Sequence, residues 1–269
     1  MGLLGKNGIG KSSAFKILAN QVKPNLGKWN KEIEFKEVLQ YFKGTEMQKF
    51  LERLHKNEVT LSYKPQQVDL IPKQFKGNVR ELLQRIDQDG RLPHVAQELQ
   101  LAHFLDTDIS SISGGELQRV AIAAASLKKA NLYLYDEPTS YLDIKQRLNA
   151  SHFIQSLSSD DTAVLVIEHD LIILDYLTEF LNLMYGHEGV YGIVSGIKST
   201  REGINAFLEG YLREENIRFR DHTIKFEKSQ DAKKIAPRQL ISWKNVQKKL
   251  GTFDLSTTQG ILYKNEVVG

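Results

Sequence analysis

The sequence predicts an α/β fold built on a mostly parallel, doubly wound sheet, and three observations predict it. Leu132 to Tyr135 and Ala163 to Ile167 are uninterrupted apolar runs, as strands buried on both faces should be. Helix-spaced apolar patterns alternate with them, the arrangement of helices covering both faces of one sheet. Gly5-Lys6-Asn7-Gly8-Ile9-Gly10-Lys11-Ser12 has the form of a glycine-rich turn between a strand and a helix. The chain of 269 residues is 41% hydrophobic and 26% charged, which excludes wholesale disorder. With no cysteine it can hold no disulfide, zinc thiolate site or iron–sulfur cluster of its own. No apolar run approaches the roughly 20 residues of a membrane span. A cytoplasmic location is expected.

The elements follow in order. Met1 to Leu4 is a short strand leading into the glycine-rich turn, and Ser13 to Gln21 is a helix with Phe15, Ile17 and Leu18 on one face. Thr45 can cap a helix whose Met47, Phe50, Leu51 and Leu54 form an apolar stripe, with Lys49, Arg53 and Lys56 lying off it. Gly77 to Ile86 carries Val79, Leu82, Leu83 and Ile86 at helical spacing, and Gly114 to Lys129 is a long alanine-rich helix. After Gly210 the pattern degrades into a charged stretch. Tyr211 to Leu250 holds eleven basic and five acidic residues, against a net charge of +3 for the whole chain. β-structure is expected again in Leu240 to Trp243, Thr252 to Leu255 and Ile261 to Val268.

Three segments carry chemistry. The glycine-rich turn offers backbone N–H groups and a helix N-terminus to phosphate oxygens, with Gly5, Asn7, Gly8, Gly10, Lys11, Ser12 and Ser13 as candidate contacts. Lys11 would neutralise β/γ charge and Ser12 would ligate Mg²⁺. Asp136 and Glu137 close an apolar strand, where α/β folds place ligands. Asp136 suits the Mg²⁺ shell, and Glu137 can orient or deprotonate an attacking water. Ser113-Gly114-Gly115-Glu116 opens a helix as a capping box. Capping does not explain two glycines in a first turn, each costing about 1 kcal/mol against alanine. Close approach of an anion to bare backbone does.

With that last segment the chain resembles the ABC ATPases, P-loop NTPases whose signature loop runs Leu-Ser-Gly-Gly-Gln/Glu; here Ile112 stands for the leucine. The resemblance implies an ABC-type domain, a mostly parallel sheet with a helical subdomain, that binds ATP and Mg²⁺ and hydrolyses ATP. It implies that Gln66 touches Mg²⁺ and the attacking water, that Asp143 is the D-loop aspartate, and that His169 contacts the γ-phosphate. Ser113, Gly114, Gly115 and Glu116 would close on a nucleotide held by a partner domain.

The runs Lys64-Pro65-Gln66, Ser140 to Arg147, Val166 to Leu171, Ser199 to Asn205 and Glu215 to Arg220 narrow the resemblance to the ribosome-recycling, RNase L inhibitor branch. Its implications are a second nucleotide-binding domain as partner, on another chain or a second copy, and contact with small-subunit ribosomal RNA and release-factor-like proteins. Tyr41 to Glu46 resembles the segment by which that branch's nucleotide domain meets its ribosomal partner. The chain would then comprise a nucleotide-binding domain at 1–210 lacking its N-terminal strands, a charged hinge at 211–239, and the opening strands of a second domain at 240–269, a short C-terminal β-segment. The branch's iron–sulfur cluster domain is not expected here, for want of cysteine. The charges of the hinge suit either a solvated linker or phosphate-backbone contact. Ile261 to Val268 could pair beside the strand ending at Asp136, in cis or by swapping, with Phe253 as the adenine-stacking aromatic. The competing functions are the ATPase subunit of a membrane transporter and a non-catalytic binding module.

Overall fold

The structure is a computed structural model describing residues 1–28, 30–225, 238–251 and 253–264. It divides into two compact units, Met1–Ile224 and Lys225–Gly269.

In the first unit β1 (Gly2–Gly5), all four residues buried, runs through the glycine-rich turn into α1 (Lys11–Leu18). α2 (Phe35–Tyr41) and α3 (Glu46–His55) form an excursion with its own small core of Ile33, Val38 and Leu51. Thr45 caps α3 by accepting from the Gln48 amide. The stripe of α3 turns Leu51 and Leu54 inward and leaves Met47 exposed at the edge. After β2 (Leu61–Lys64) come the helices α4 (Ile71–Gln74), α5 (Val79–Ile86), α6 (Leu92–Glu98) and α7 (Gly114–Leu127). Strands and helices then alternate as β3 (Leu132–Asp136), α8 (Ile144–Ser156), β4 (Ala163–Ile167), α9 (Leu171–Leu177) and β5 (Phe180–His187). β6 (Tyr191–Val194), β7 (Lys198–Ser199), α10 (Thr200–Glu209) and the ribbon of β8 (Tyr211–Leu212) with β9 (Ile217–Arg218) complete the unit.

The strand order is β2-β3-β4-β1-β5-β6, with β7 beside β5. β2, β3, β4, β1 and β5 run parallel, while β6 and β7 are antiparallel to β5. Short as it is, β1 sits inside the sheet. It pairs Gly2 and Leu3 with Val166 and Ile167 on one side and Gly2 to Gly5 with Leu181 to Met184 on the other. Pairing on both edges fixes where the glycine-rich turn emerges, beside the ends of β3 and β4. α7 is buried along most of its length from Leu117 onward, because its alanines let it pack closely in the helical core with Val79, Leu83 and Val95. Among the described residues no helix is long and apolar enough to cross a membrane.

In the second unit β10 (Gln239–Trp243) pairs antiparallel with β13 (Gly260–Tyr263), and β11 (Val246–Leu250) pairs with β12 (Phe253–Thr257). The expected pairing of Ile261 to Val268 beside the strand ending at Asp136 is overturned. β3 is bonded to β2 on one edge and β4 on the other, so it has no free edge, and Ile261 pairs with Ser242 instead. Phe253, the candidate adenine aromatic, is an exposed end of the β11–β12 ribbon opposite Leu250. Thr252, residues 265–269 and the hinge positions 226–237 lie outside the described residues.

Candidate active site

Four segments far apart in the chain line one cleft of 430 Å³: Asn7, Gly8 and Gly10 to Ser13 from the glycine-rich turn, then Gln66, Glu137 and His169. Sheet topology brings them together, since the loops leave the C-terminal ends of the adjacent strands β1, β3 and β4 and of β2 beside them. Gly10 caps α1 at φ 98°, a left-handed conformation that disfavours any side chain, and no side chain caps the helix. The first-turn amides of α1 therefore stand free to bind an anion. The buried Lys11 amine donates to the carbonyls of Gly5 (2.9 Å) and Lys6 (2.7 Å), which folds it over the turn. Burial pushes its pKa down, while the charges of Glu137 and Asp136 pull it back up.

Under the cleft, Asp136 is 1% exposed. Burial raises its carboxyl above the usual range, against the opposing pull of the Ser12 hydroxyl and of Lys64. Tyr63 donates to its Oδ2 at 3.4 Å, and Oδ1 is buried without a protein partner. Glu137 follows in a strained turn at φ 45°. Its carboxylate lies 3.0 Å from His169 Nε2 and accepts from Ser140 Oγ at 3.3 Å. Glu168, nearly fully buried, accepts from the Thr139 amide (3.1 Å), the Thr139 hydroxyl (2.6 Å) and the His169 amide (3.1 Å). It thereby joins the loop after β3 to the loop after β4. Such a constellation can hold a triphosphate on backbone amides, set a cation between hydroxyl and carboxylate, and present a carboxylate–imidazole pair to a water.

The signature segment stands apart from that cleft. Ser113 caps α7, and Glu116 Oε2 accepts from both the Ser113 amide and its hydroxyl at 2.8 Å, forming the expected box. A Cβ on Gly115 would meet the Tyr141 carbonyl at 3.0 Å, whereas one on Gly114 would meet nothing within 4 Å. Internal packing thus accounts for the glycine at 115 and not for the one at 114. Asp143 caps α8 by accepting from the Gln146 amide and does not line the cleft.

Sequence reasoning missed three contributors. Ser140 donates its hydroxyl to the Glu137 carboxylate at 3.3 Å. Lys64, 1% exposed, donates to the carbonyls of Asp136 (2.9 Å) and Glu137 (3.1 Å), and burial lowers its pKa to about 8 despite the attraction of Asp136, Glu168 and Glu137. Gln118, fully buried on α7, donates to the carbonyls of Glu137 (2.7 Å) and Pro138 (2.9 Å). A lysine inside a strand was the one available signal.

The basic patches resolve unevenly. Lys49 is paired with Glu46 at 2.7 Å and Arg53 lies 3.8 Å from Glu58, while Arg213 is held by Glu209 at 3.2 Å. Arg220 is buried and donates to the carbonyls of Phe207, Leu208 and His222, a structural duty. Lys248 and Lys249 of β11 are exposed.

With this geometry in place, comparison with known proteins gives a consistent answer. The family profile described as ABC transporter matches residues 1–140. Over its whole length the chain is 48% identical to an uncharacterized ABC transporter ATP-binding protein of Methanocaldococcus jannaschii, of which it covers 44%. It is likewise similar to translation initiation factor RLI1 of Saccharomyces cerevisiae, at 41% identity over 100% of this chain and 45% of that protein. Among solved structures, the archaeal ribosome recycling factor aABCE1, in complex with the archaeal ribosomal stalk protein aP1, matches at TM-score 0.86 and 48% identity, over 99% of this chain and 51% of that one. The chain spans about half the length of the relatives it matches.

Proposed function

The chain belongs to the ABC transporter family of ATP-binding domains, and we propose that it is the first nucleotide-binding domain of a ribosome-recycling ATPase. A domain of this family takes ATP and Mg²⁺ in general. The cleft in which the phosphate loop, Gln66, Glu137 and His169 converge supports the ATPase reading, and the similarity over the whole chain to RLI1 and to the archaeal ribosome recycling factor supports the finer one.

In this reading the free amides of Gly10 to Ser13 hold the phosphates, and the Lys11 amine leaves the Gly5 and Lys6 carbonyls for β/γ oxygens. Ser12, Asp136 and Gln66 would hold Mg²⁺. The buried Asp136 Oδ1, without a protein partner, fits a cation-bound water or the cation itself. The ion's chemistry there is charge neutralisation across the phosphates. Glu137 orients the attacking water and takes its proton, held by Ser140 and paired with His169, which faces the γ-phosphate.

Ser113, Gly114 and Gly115 serve the opposite site. The open space over Gly114 leaves room for a nucleotide held by a second nucleotide-binding domain, on another chain or a second copy. Asp143 belongs to the loop that follows Tyr141, against which Gly115 packs, so its place is at that joint. ATP-favoured closure is the work-performing step, and its use is the separation of ribosomal subunits, with small-subunit RNA and release-factor-like proteins as partners. The exposed Tyr41 lies in the segment assigned to ribosomal contact.

The test is ATP turnover of the chain alone and with a second nucleotide-binding domain. Binding without appreciable turnover alone, and turnover that rises with the added domain, is the expected result. Full turnover by the isolated chain, unchanged by the second domain, would contradict it.

A further inference from the structure

The turn that carries Glu137 is held by its backbone. Glu137 is not a glycine, yet it sits at φ 45°, a conformation that persists only where the surroundings enforce it. Two fully buried side chains do so. From β2, Lys64 Nζ donates to the carbonyls of Asp136 (2.9 Å) and Glu137 (3.1 Å). From α7, Gln118 Nε2 donates to the carbonyls of Glu137 (2.7 Å) and Pro138 (2.9 Å). Three successive carbonyls are thereby pinned from two sides, and Glu137's carboxylate is left to its contacts with His169 and Ser140.

The two clamps differ in what stands behind them. Lys64 belongs to the sheet that carries the cleft, whereas Gln118 lies one turn along α7 from Ser113 to Gly115. Gly115 packs against the Tyr141 carbonyl in the loop beyond Glu137, so the start of α7 touches the same loop twice. α7 is continuous from Gly114 to Leu127 and buried from Leu117 to Ala123, so its first turn and Gln118 belong to one helix.

We propose that Gln118 is a positioning residue for Glu137, tying the turn of one half-site to the helix whose first turn closes the other. The inference deepens the functional reading above and rests on it. Displacement of the Ser113–Gly115 turn by a partner's nucleotide is delivered through α7 and the Gln118 amide to the Glu137 backbone. Because the amide holds the Glu137–Pro138 turn and does not line the cleft, its removal affects the chemical step and spares nucleotide binding.

Gln118→Met keeps the length of the side chain and removes both donors, and Lys64→Met does the same on the other side. Each is made in the full chain and assayed for ATP affinity and, with a second nucleotide-binding domain present, for kcat and KM. Gln118→Met is expected to keep its ATP dissociation constant and KM within about twofold while kcat falls between about tenfold and about 10²-fold, as for a misplaced catalytic group. Lys64→Met, should Gln118→Met not fold, must show the same kcat-only loss. Turnover within about twofold of the parent, or kcat falling together with affinity and melting temperature, overturns the inference. Glu137→Gln is the control that separates the two layers. If it abolishes turnover while Gln118→Met stays within about twofold of the parent, only the positioning role fails; if it leaves turnover intact, the reading beneath fails.

Discussion

The two surfaces proposed to face nucleotide are built in opposite ways. The phosphate-loop side is a cleft whose parts are assembled by the sheet: a central strand, two neighbouring strand ends and a strained turn bring Lys11, Asp136, Glu137 and His169 together. The signature side is the exposed start of a helix, with its serine occupied by Glu116 and its first glycine facing open space. The first surface is a cleft lined from four segments. The second offers open space over Gly114. The difference teaches that, in the proposed reading, binding needs the cleft alone whereas turnover needs both surfaces, so substitutions on the two sides should separate them.

The largest effect is expected at Lys11. Lys11→Ala removes a charged donor from the phosphates and should weaken ATP binding by about 10²-fold or more, measured by titration with a fluorescent nucleotide. Next is Glu137→Gln, expected to reduce turnover by about 10²–10⁴-fold with ATP binding retained, checked by parallel binding and phosphate-release assays. A matched pair of glycine substitutions sharpens the contrast. Gly10→Ala forces a side chain into φ 98° and should impair nucleotide binding by the chain alone. Gly114→Ala meets open space, should stabilise α7 by up to about 1 kcal/mol in thermal unfolding, and should leave that binding unchanged while lowering turnover with a partner domain.

The smallest effect lies away from both surfaces. Burial pushes Glu215 up, but the amides of Gly196 and Glu215 together with Lys198 outweigh it and hold its carboxyl below the ordinary value of 4.5. A depressed carboxylate stabilises the fold at pH above that value, and the contribution fades as pH falls through it toward the folded-state value. The stability gap between the parent chain and Glu215→Gln should therefore be level at neutral pH and close on acidification, measured by denaturant titration across pH.

How much of this was legible depended on what each feature asks of side-chain identity. The phosphate loop was legible because backbone binding of phosphate demands glycines at fixed spacing and a lysine and serine beside them. β3 and β4 were legible because burial on both faces leaves no room for polar alternation, and the start of α7 was legible from the capping box at Ser113. The Lys64 and Gln118 clamp was not. A side chain that bonds backbone carbonyls needs no partner residue type, so it leaves no paired signal in the chain. The pairing of the last strands was misread because strand edges are a property of the whole sheet. β3 has β2 and β4 on its two edges, and no local pattern around Asp136 reveals that.

The central claim is that ATP joins two half-pockets, one of them held by Lys11 and the other closed by Ser113 to Gly115. Sedimentation of the chain carrying Glu137→Gln with a second nucleotide-binding domain, with and without ATP and Mg²⁺, tests it most directly. The account predicts a pair that forms only with ATP and is lost on adding either Lys11→Ala or Gly114→Asp. A pair that forms equally without nucleotide, or that survives both substitutions, would contradict it.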